Sequence, residues 1–89
     1  MKNRQTYKAV VRGMFLDDDG YTEGLMRIAG QFHNKAFMFN WSRRQINMPN
    51  TKPTSVQFFV LHEEDWELIA AARVKIPVGN KRRRLFMWK

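Results

Sequence analysis

The stretch HEEDWELIAAARVKIPV, residues 62–78, decides between two folds for this chain. Trp66, Leu68, Ala70, Ala72, Val74, Ile76 and Val78 alternate without a break, which is the period of a strand. Against that, Glu67 to Arg73 has high helix propensity, and alanine is depleted in strands. His62-Glu63-Glu64-Asp65 would also make an acidic first turn that complements a helix dipole. On this balance the reading is a helix over 63–73, followed by a tight turn at Gly79-Asn80 and a final strand from Arg83 to Trp88.

Upstream, residues 55–61 (SVQFFVL) read as a strand that is apolar on both faces and therefore central. Ser42 to Thr54 reads as a thirteen-residue polar loop, with Pro49 and Pro53 barring regular structure. Residues 36–41 (AFMFNW) read as a strand with Phe37, Phe39 and Trp41 on one face, assigned to the core before any stacking platform. Tyr21, Leu25, Ile28, Ala29 and Phe32 form a helical stripe, with Thr22 as N-cap, Tyr21 and Met26 as a hydrophobic staple and Asn34 as the stop. Gly24 and Gly30 count against that helix by up to ~1 kcal/mol each. Residues 6–16 (TYKAVVRGMFL) alternate as a strand, with Tyr7 and Phe15 directed to the core together with Phe32, and Asp17-Asp18-Asp19-Gly20 breaks it with turn chemistry.

The resulting order, β-α-β-β-α-β, is that of a small α+β two-layer sandwich of ferredoxin-like order, with two helices on one face of an antiparallel sheet of about four strands. If 66–78 is a strand instead, the fold becomes one helix packed on a curved antiparallel sheet with a C-terminal meander. Either way the 89 residues make a single domain over 1–89, with a thin core.

Composition limits the function. The apolar share of 44% is too high for disorder, and the absence of cysteine excludes disulfides and thiolate metal sites and suits a reducing cytoplasm. No signal peptide and no apolar run long enough for a membrane helix is expected. Sixteen Lys and Arg against eight Asp and Glu give a net charge of +8. The acids fall in two clusters, Asp17, Asp18, Asp19 and Glu23, then Glu63, Glu64, Asp65 and Glu67; the segments between are purely basic. Such segregation concentrates positive field on one surface and points to a polyanionic partner.

The C-terminal run Lys81-Arg82-Arg83-Arg84, beside Phe86 and Trp88, joins phosphate neutralisation to stacking surface, because the arginine fork both chelates phosphate and stacks on bases. Trp88 suits core and stacking equally. Arg43, Arg44 and Lys52 fall in the expected loop, and Lys8 and Arg12 on the polar face of the first strand, where a single strand of nucleic acid would lie. The expectation is a non-catalytic nucleic-acid-binding module gripping the backbone, with RNA or single-stranded DNA favoured and with no cofactor, metal or small-molecule substrate. The alternative is a small inhibitor or modulator, of the kind phages encode, that docks on an acidic protein surface. Asp17-Asp18-Asp19 with Glu23 could hold Mg²⁺ in a nuclease, but an acidic turn capping a helix explains the same residues. The stretch KPTSVQFFVL lacks the Gly-aromatic-Gly pattern of RNA-recognition modules, and no family is identified.

Overall fold

In the computed structural model the decisive segment is a strand, and the chain becomes one helix on a five-stranded antiparallel sheet. The structure describes residues 5–17, 20–49, 51–75 and 82–88, with side chains over 5–14, 29–49, 51–75 and 82–87. Strands β1 (Tyr7–Asp17) and β2 (Gly20–Phe32) form a long hairpin, helix α1 (Lys35–Ile46) follows, and β3 (Thr51–His62), β4 (Asp65–Lys75) and β5 (Arg84–Trp88) form a meander. The strand order is β2-β1-β3-β4-β5. β2 and β3 both pair antiparallel to β1, so the connection through α1 crosses over β1.

Three readings of the sequence are corrected. The two-helix sandwich gives way to the one-helix alternative, and the helix is not the one expected there: the expected helix after Tyr21 is strand as far as Phe32, and Lys35–Ile46 is helix. The helix begins where Asn34 accepts hydrogen bonds from the amides of Ala36 (2.7 Å) and Phe37 (3.3 Å), an N-cap that satisfies otherwise orphaned donors. It ends on Arg43 and Arg44, which complement the negative end of its dipole. Its buried stripe is Met38, Ser42 and Ile46, spaced four apart. Ser42 hides this period in the sequence, because it is polar yet wholly buried, its hydroxyl donating to the Met38 carbonyl at 2.9 Å. The alternation of Phe37, Phe39 and Trp41 is incidental: Phe37 is 66% exposed, whereas Phe39 and Trp41 pack against the core.

The segment 63–73 is the second correction. Its alanines have small side chains that fit between strands: Ala72 lies opposite Val56 in the core, and Ala70 opposite Phe58. Tertiary packing overrides helix propensity there. Glu63 and Glu64 form the two-residue turn between β3 and β4, with Glu63 at φ 56°, the left-handed region. In β2, Gly30 makes room for the helix, because a Cβ on it would lie 3.1 Å from Cε2 of Trp41 and 2.9 Å from Cζ of Phe32.

The third correction concerns the expected loop from Ser42 to Thr54, whose ends are helix and strand; the connection shrinks to the residues between Ile46 and Thr51. Pro53 sits in β3 at a register shift between Arg12 and Gly13, a position where a missing N–H is tolerated. Strands over 6–16 and 83–88 are found close to their expected bounds, and the strand expected over 55–61 is found within a longer one that begins at Thr51. Gly79-Asn80, Asp18 and Asp19, and the side chain of Phe15, lie outside what the structure describes.

The core lies between α1 and one face of the sheet: Ala9 and Val11 from β1, Met38 and Ile46 from α1, Val56 and Phe58 from β3, and Ala72 from β4. Tyr7 and Phe32, expected in the core, are half-buried beside it. No described helix is long and apolar enough to cross a membrane.

Candidate functional site

The helix occupies one face of the sheet, and side chains that alternate out of the core necessarily line the other. Register identifies them. Arg12 lies opposite Arg27 on β2 and Ser55 on β3; Ser55 lies opposite Arg73 on β4, and Arg73 opposite Phe86 on β5. One row of register positions across all five strands is thus Arg27, Arg12, Ser55, Arg73 and Phe86, the side chain of Arg27 lying outside what the structure describes. Beside it, Lys75 pairs with Arg84, and Met14 with Lys52. On the other side, Lys8 pairs with Phe59. The described cations of the helix-free face are therefore Lys8, Arg12, Lys52, Arg73, Lys75 and Arg84.

Aromatic rings are interleaved with these cations. The Lys8 ammonium lies 5.0 Å from the centre of the Phe59 ring and 4.5 Å from Trp66, and that of Lys75 lies 4.3 Å from Phe86. Cation–π contacts of this kind hold a lysine stem along the sheet while the charge stays at the surface. Nε of Arg12 donates to Oε1 of Gln57 at 2.8 Å, which orients the guanidinium along the face and occupies one of its five N–H donors. Phe86 is 56% and Leu68 51% exposed, so apolar surface remains open among the charges.

No described carboxylate occupies a register position on this face. The described acids with placed side chains, Glu63, Glu64, Asp65 and Glu67, gather at the β3–β4 turn. Asp65 and Arg73 are eight residues apart along β4, or about 26 Å at the rise of a strand, well beyond the Debye length of ~8 Å at physiological salt. The basic end of the face is thus electrostatically separate from the acidic turn.

The structure divides the expected site residues between two places. Lys8, Arg12, Lys52 and Arg84 lie on the helix-free face, where Arg73 and Lys75 join them. Arg73 was missed because a helix was read over 63–73, and Lys75 because it then fell in the connection after that helix; the alternation of Arg73 and Lys75 with Val74 was the available signal. Arg43, Arg82 and Arg83 lie instead around a cleft between α1 and β5, which Arg84 reaches from the edge of the sheet. Arg44 is exposed on the helix. Lys81 and the side chain of Trp88 lie outside what the structure describes, although Trp88 is paired with Ala71, a register position on the helix-free face.

Arg83 has a structural task. Its amide donates to Oδ1 of Asn47 at 2.7 Å, its carbonyl accepts from Nδ2 of Asn47 at 3.2 Å, and its Nη1 donates to the Ile46 carbonyl at 2.9 Å. These contacts pin the start of β5 to the C-terminus of α1 and satisfy a terminal helix carbonyl. Among the described residues no group of three His, Asp or Glu is placed to hold a metal ion; the Asp17–Asp19 cluster with Glu23 lies outside the described side chains. Comparison with protein families, with curated proteins and with solved structures finds no match to this chain.

Proposed function

We propose that the chain binds single-stranded nucleic acid across the helix-free face of its sheet, without catalysis. The observation that carries this reading is the row through Arg12 and Arg73, flanked by Lys8, Lys52, Lys75 and Arg84, on a face where none of the described side chains is a carboxylate. A phosphate backbone rewards such a row by counterion release, and Phe59, Trp66 and Phe86 supply surface for unstacked bases. A duplex would keep its bases from those rings, and α1, the one described helix, lies on the opposite side and cannot enter a groove from this face.

The test is titration of labelled single strands and duplexes at several salt concentrations. Six phosphate contacts on a single strand give a slope of log K against log salt of about −4. Replacing Arg12 and Arg73 together with Gln lowers that slope by about 1.4 and the affinity at least ~tenfold. No binding at ~50 mM salt, or a flat salt response, would overturn the proposal.

A second reading, docking on an acidic protein surface, draws on the exposed apolar side chains Met14, Leu68 and Phe86 on the same face as the arginines. Aromatic residues, Met and Arg are the enriched components of protein interfaces. A protein partner retained from nuclease-treated lysate, and lost in the Arg12/Arg73 variant, would favour it.

A further inference from the structure

Behind β5, on the helix side of the sheet, lies a cleft of about 570 Å³ lined by Phe39, Arg43, Asn47, Arg82, Arg83, Arg84, Leu85 and Met87. Its walls follow from regular spacing. Phe39 and Arg43 on α1 and Asn47 at its C-cap stand four apart and line one side. Leu85 and Met87 alternate on β5, opposite Val74 and Ala72, so they share the helix side. The floor is apolar, with Phe39 held edge-on against Phe58 at 4.9 Å between ring centres, and the rim is made of guanidinium groups. Among the described residues no carboxylate lines it.

We infer that this cleft binds a nucleoside phosphate monoester, its base on the floor of Phe39, Leu85 and Met87 and its phosphate between Arg43 and Arg84. The volume falls within the range of small-ligand pockets, ~300–1,000 Å³. A ligand must be both anionic and flat to use this lining, since arginine forks chelate phosphate bidentately while the floor offers only apolar contact. Arg83 neutralises the helix-terminal carbonyl of Ile46 that would otherwise repel an anion here. The amide of Asn47 is engaged: Nδ2 donates to the carbonyls of Arg43 (2.9 Å) and Arg83 (3.2 Å), and Oδ1 accepts from the Arg83 amide. It therefore has no donor left to read a base edge.

The monoester has two sources, a free nucleotide or the phosphorylated end of a strand. The second builds on the sheet-face reading: Arg84 belongs both to the cleft and, through its pairing with Lys75, to the helix-free face, so a strand could turn around the edge at β5.

Adenosine and cytidine monophosphates, the corresponding nucleosides and inorganic phosphate are titrated into the full chain with NMR detection. Short oligonucleotides with and without a terminal phosphate are titrated in parallel. Monophosphates shift the amides of Asn47, Leu85 and Met87, and Arg43→Gln weakens them about tenfold, the scale of one charge-assisted contact. Met87→Glu, at a 48% exposed position that keeps the fold, abolishes them by placing a carboxylate on the floor. A terminal phosphate that tightens oligonucleotide binding in wild type but not in Arg43→Gln assigns the strand end; monophosphate binding without that gain assigns the free nucleotide. Both outcomes support the cleft. Absence of monophosphate binding, shifts confined to Lys8, Arg12 and Arg73, or binding unchanged by both variants overturns it. Unphosphorylated single strands whose binding still depends on Arg12 and Arg73 would leave the sheet-face reading standing on its own.

Discussion

Along β3 the chain is two surfaces in one strand. Val56 and Phe58 are fully buried beneath α1, whereas Ser55, Gln57 and Phe59 face away from it, toward Arg12, Arg73 and Lys8. The covered face holds no described charge at its centre, and the uncovered face holds most of the described cations of the sheet. A single thin core must stabilise both, since a chain of this size has only one layer to bury. The difference teaches that stability and partner binding can be altered separately here, because the residues responsible point to opposite sides of the same backbone.

The largest effect is expected on the covered side. Phe58→Ala removes the largest fully buried side chain among the described residues and its edge contact with Phe39, and large aromatic truncations cost about 3–5 kcal/mol. In a domain this small that lowers Tm by roughly 12 °C or more, at ~4–8 °C per kcal/mol. Thermal unfolding followed by circular dichroism checks it; a drop of only a few degrees would mean that α1 does not clamp this face. Arg12→Gln with Arg73→Gln, on the other side, leaves Tm within a few degrees, since surface changes are usually within ~0.5 kcal/mol each. A collapse of the melt in that double variant would break the comparison.

The next effect tests how closely the chain is fitted at the seam between β1 and β3. A Cβ on Gly13 would run into the Lys52 carbonyl oxygen and come within 2.5 Å of Pro53 Cα, both backbone atoms at the register shift. Backbone cannot rotate aside as a side chain can, so Gly13→Ala should destabilise by about 1–3 kcal/mol, in the range of overpacking. Urea unfolding is the measurement, and an unchanged midpoint would show that the shift is soft.

These two faces were only partly legible in the sequence. β1, β3 and β5 were read correctly because β-branched and aromatic residues alternate there, and propensity agreed with burial. The helix was missed because its stripe is Met38, Ser42 and Ile46, with a buried serine at its centre that looks polar until its hydrogen bond to Met38 is known. β2 was read as a helix because Tyr21, Leu25, Ile28 and Phe32 fall at helical spacing, and β4 because its alanines favour a helix; Gly30 in fact answers to Trp41, and Ala72 to Val56, contacts that local spacing does not show. The positive charge was visible from composition, but its division between sheet face and cleft follows from Arg73, Lys75 and Arg43, whose elements were assigned wrongly. Cations could be counted in the sequence; which side they face needed the register.

The smallest effect concerns the turn that sets that register. Glu63 occupies the first central position of the two-residue connection between β3 and β4 with φ at 56°, and His62 pairs with Asp65 across it. Two-residue hairpins favour turns with positive φ because their twist matches that of the strands, and glycine is the usual residue at such a position. A glutamate there carries a Cβ into crowded space, at a cost of roughly 1–2 kcal/mol relative to an unstrained residue. Glycine removes the strain but widens the unfolded ensemble, so only part of that energy is recovered. Glu63→Gly should therefore stabilise the fold by about 0.5–1 kcal/mol, or a few degrees in Tm. It also removes one of the acids gathered at the turn, far from Arg73, so nucleic-acid affinity at physiological salt should change little. A one-residue slip of β4 would send Arg73 and Lys75 to the helix side and Val74 outward, which is why a firmer turn sharpens the contrast between the faces. If Glu63→Gly lowers Tm, the side chain of Glu63 supports the hairpin in a way the left-handed backbone does not show, and register must be held mainly by the packing of Val56 and Phe58 against Ala70 and Ala72.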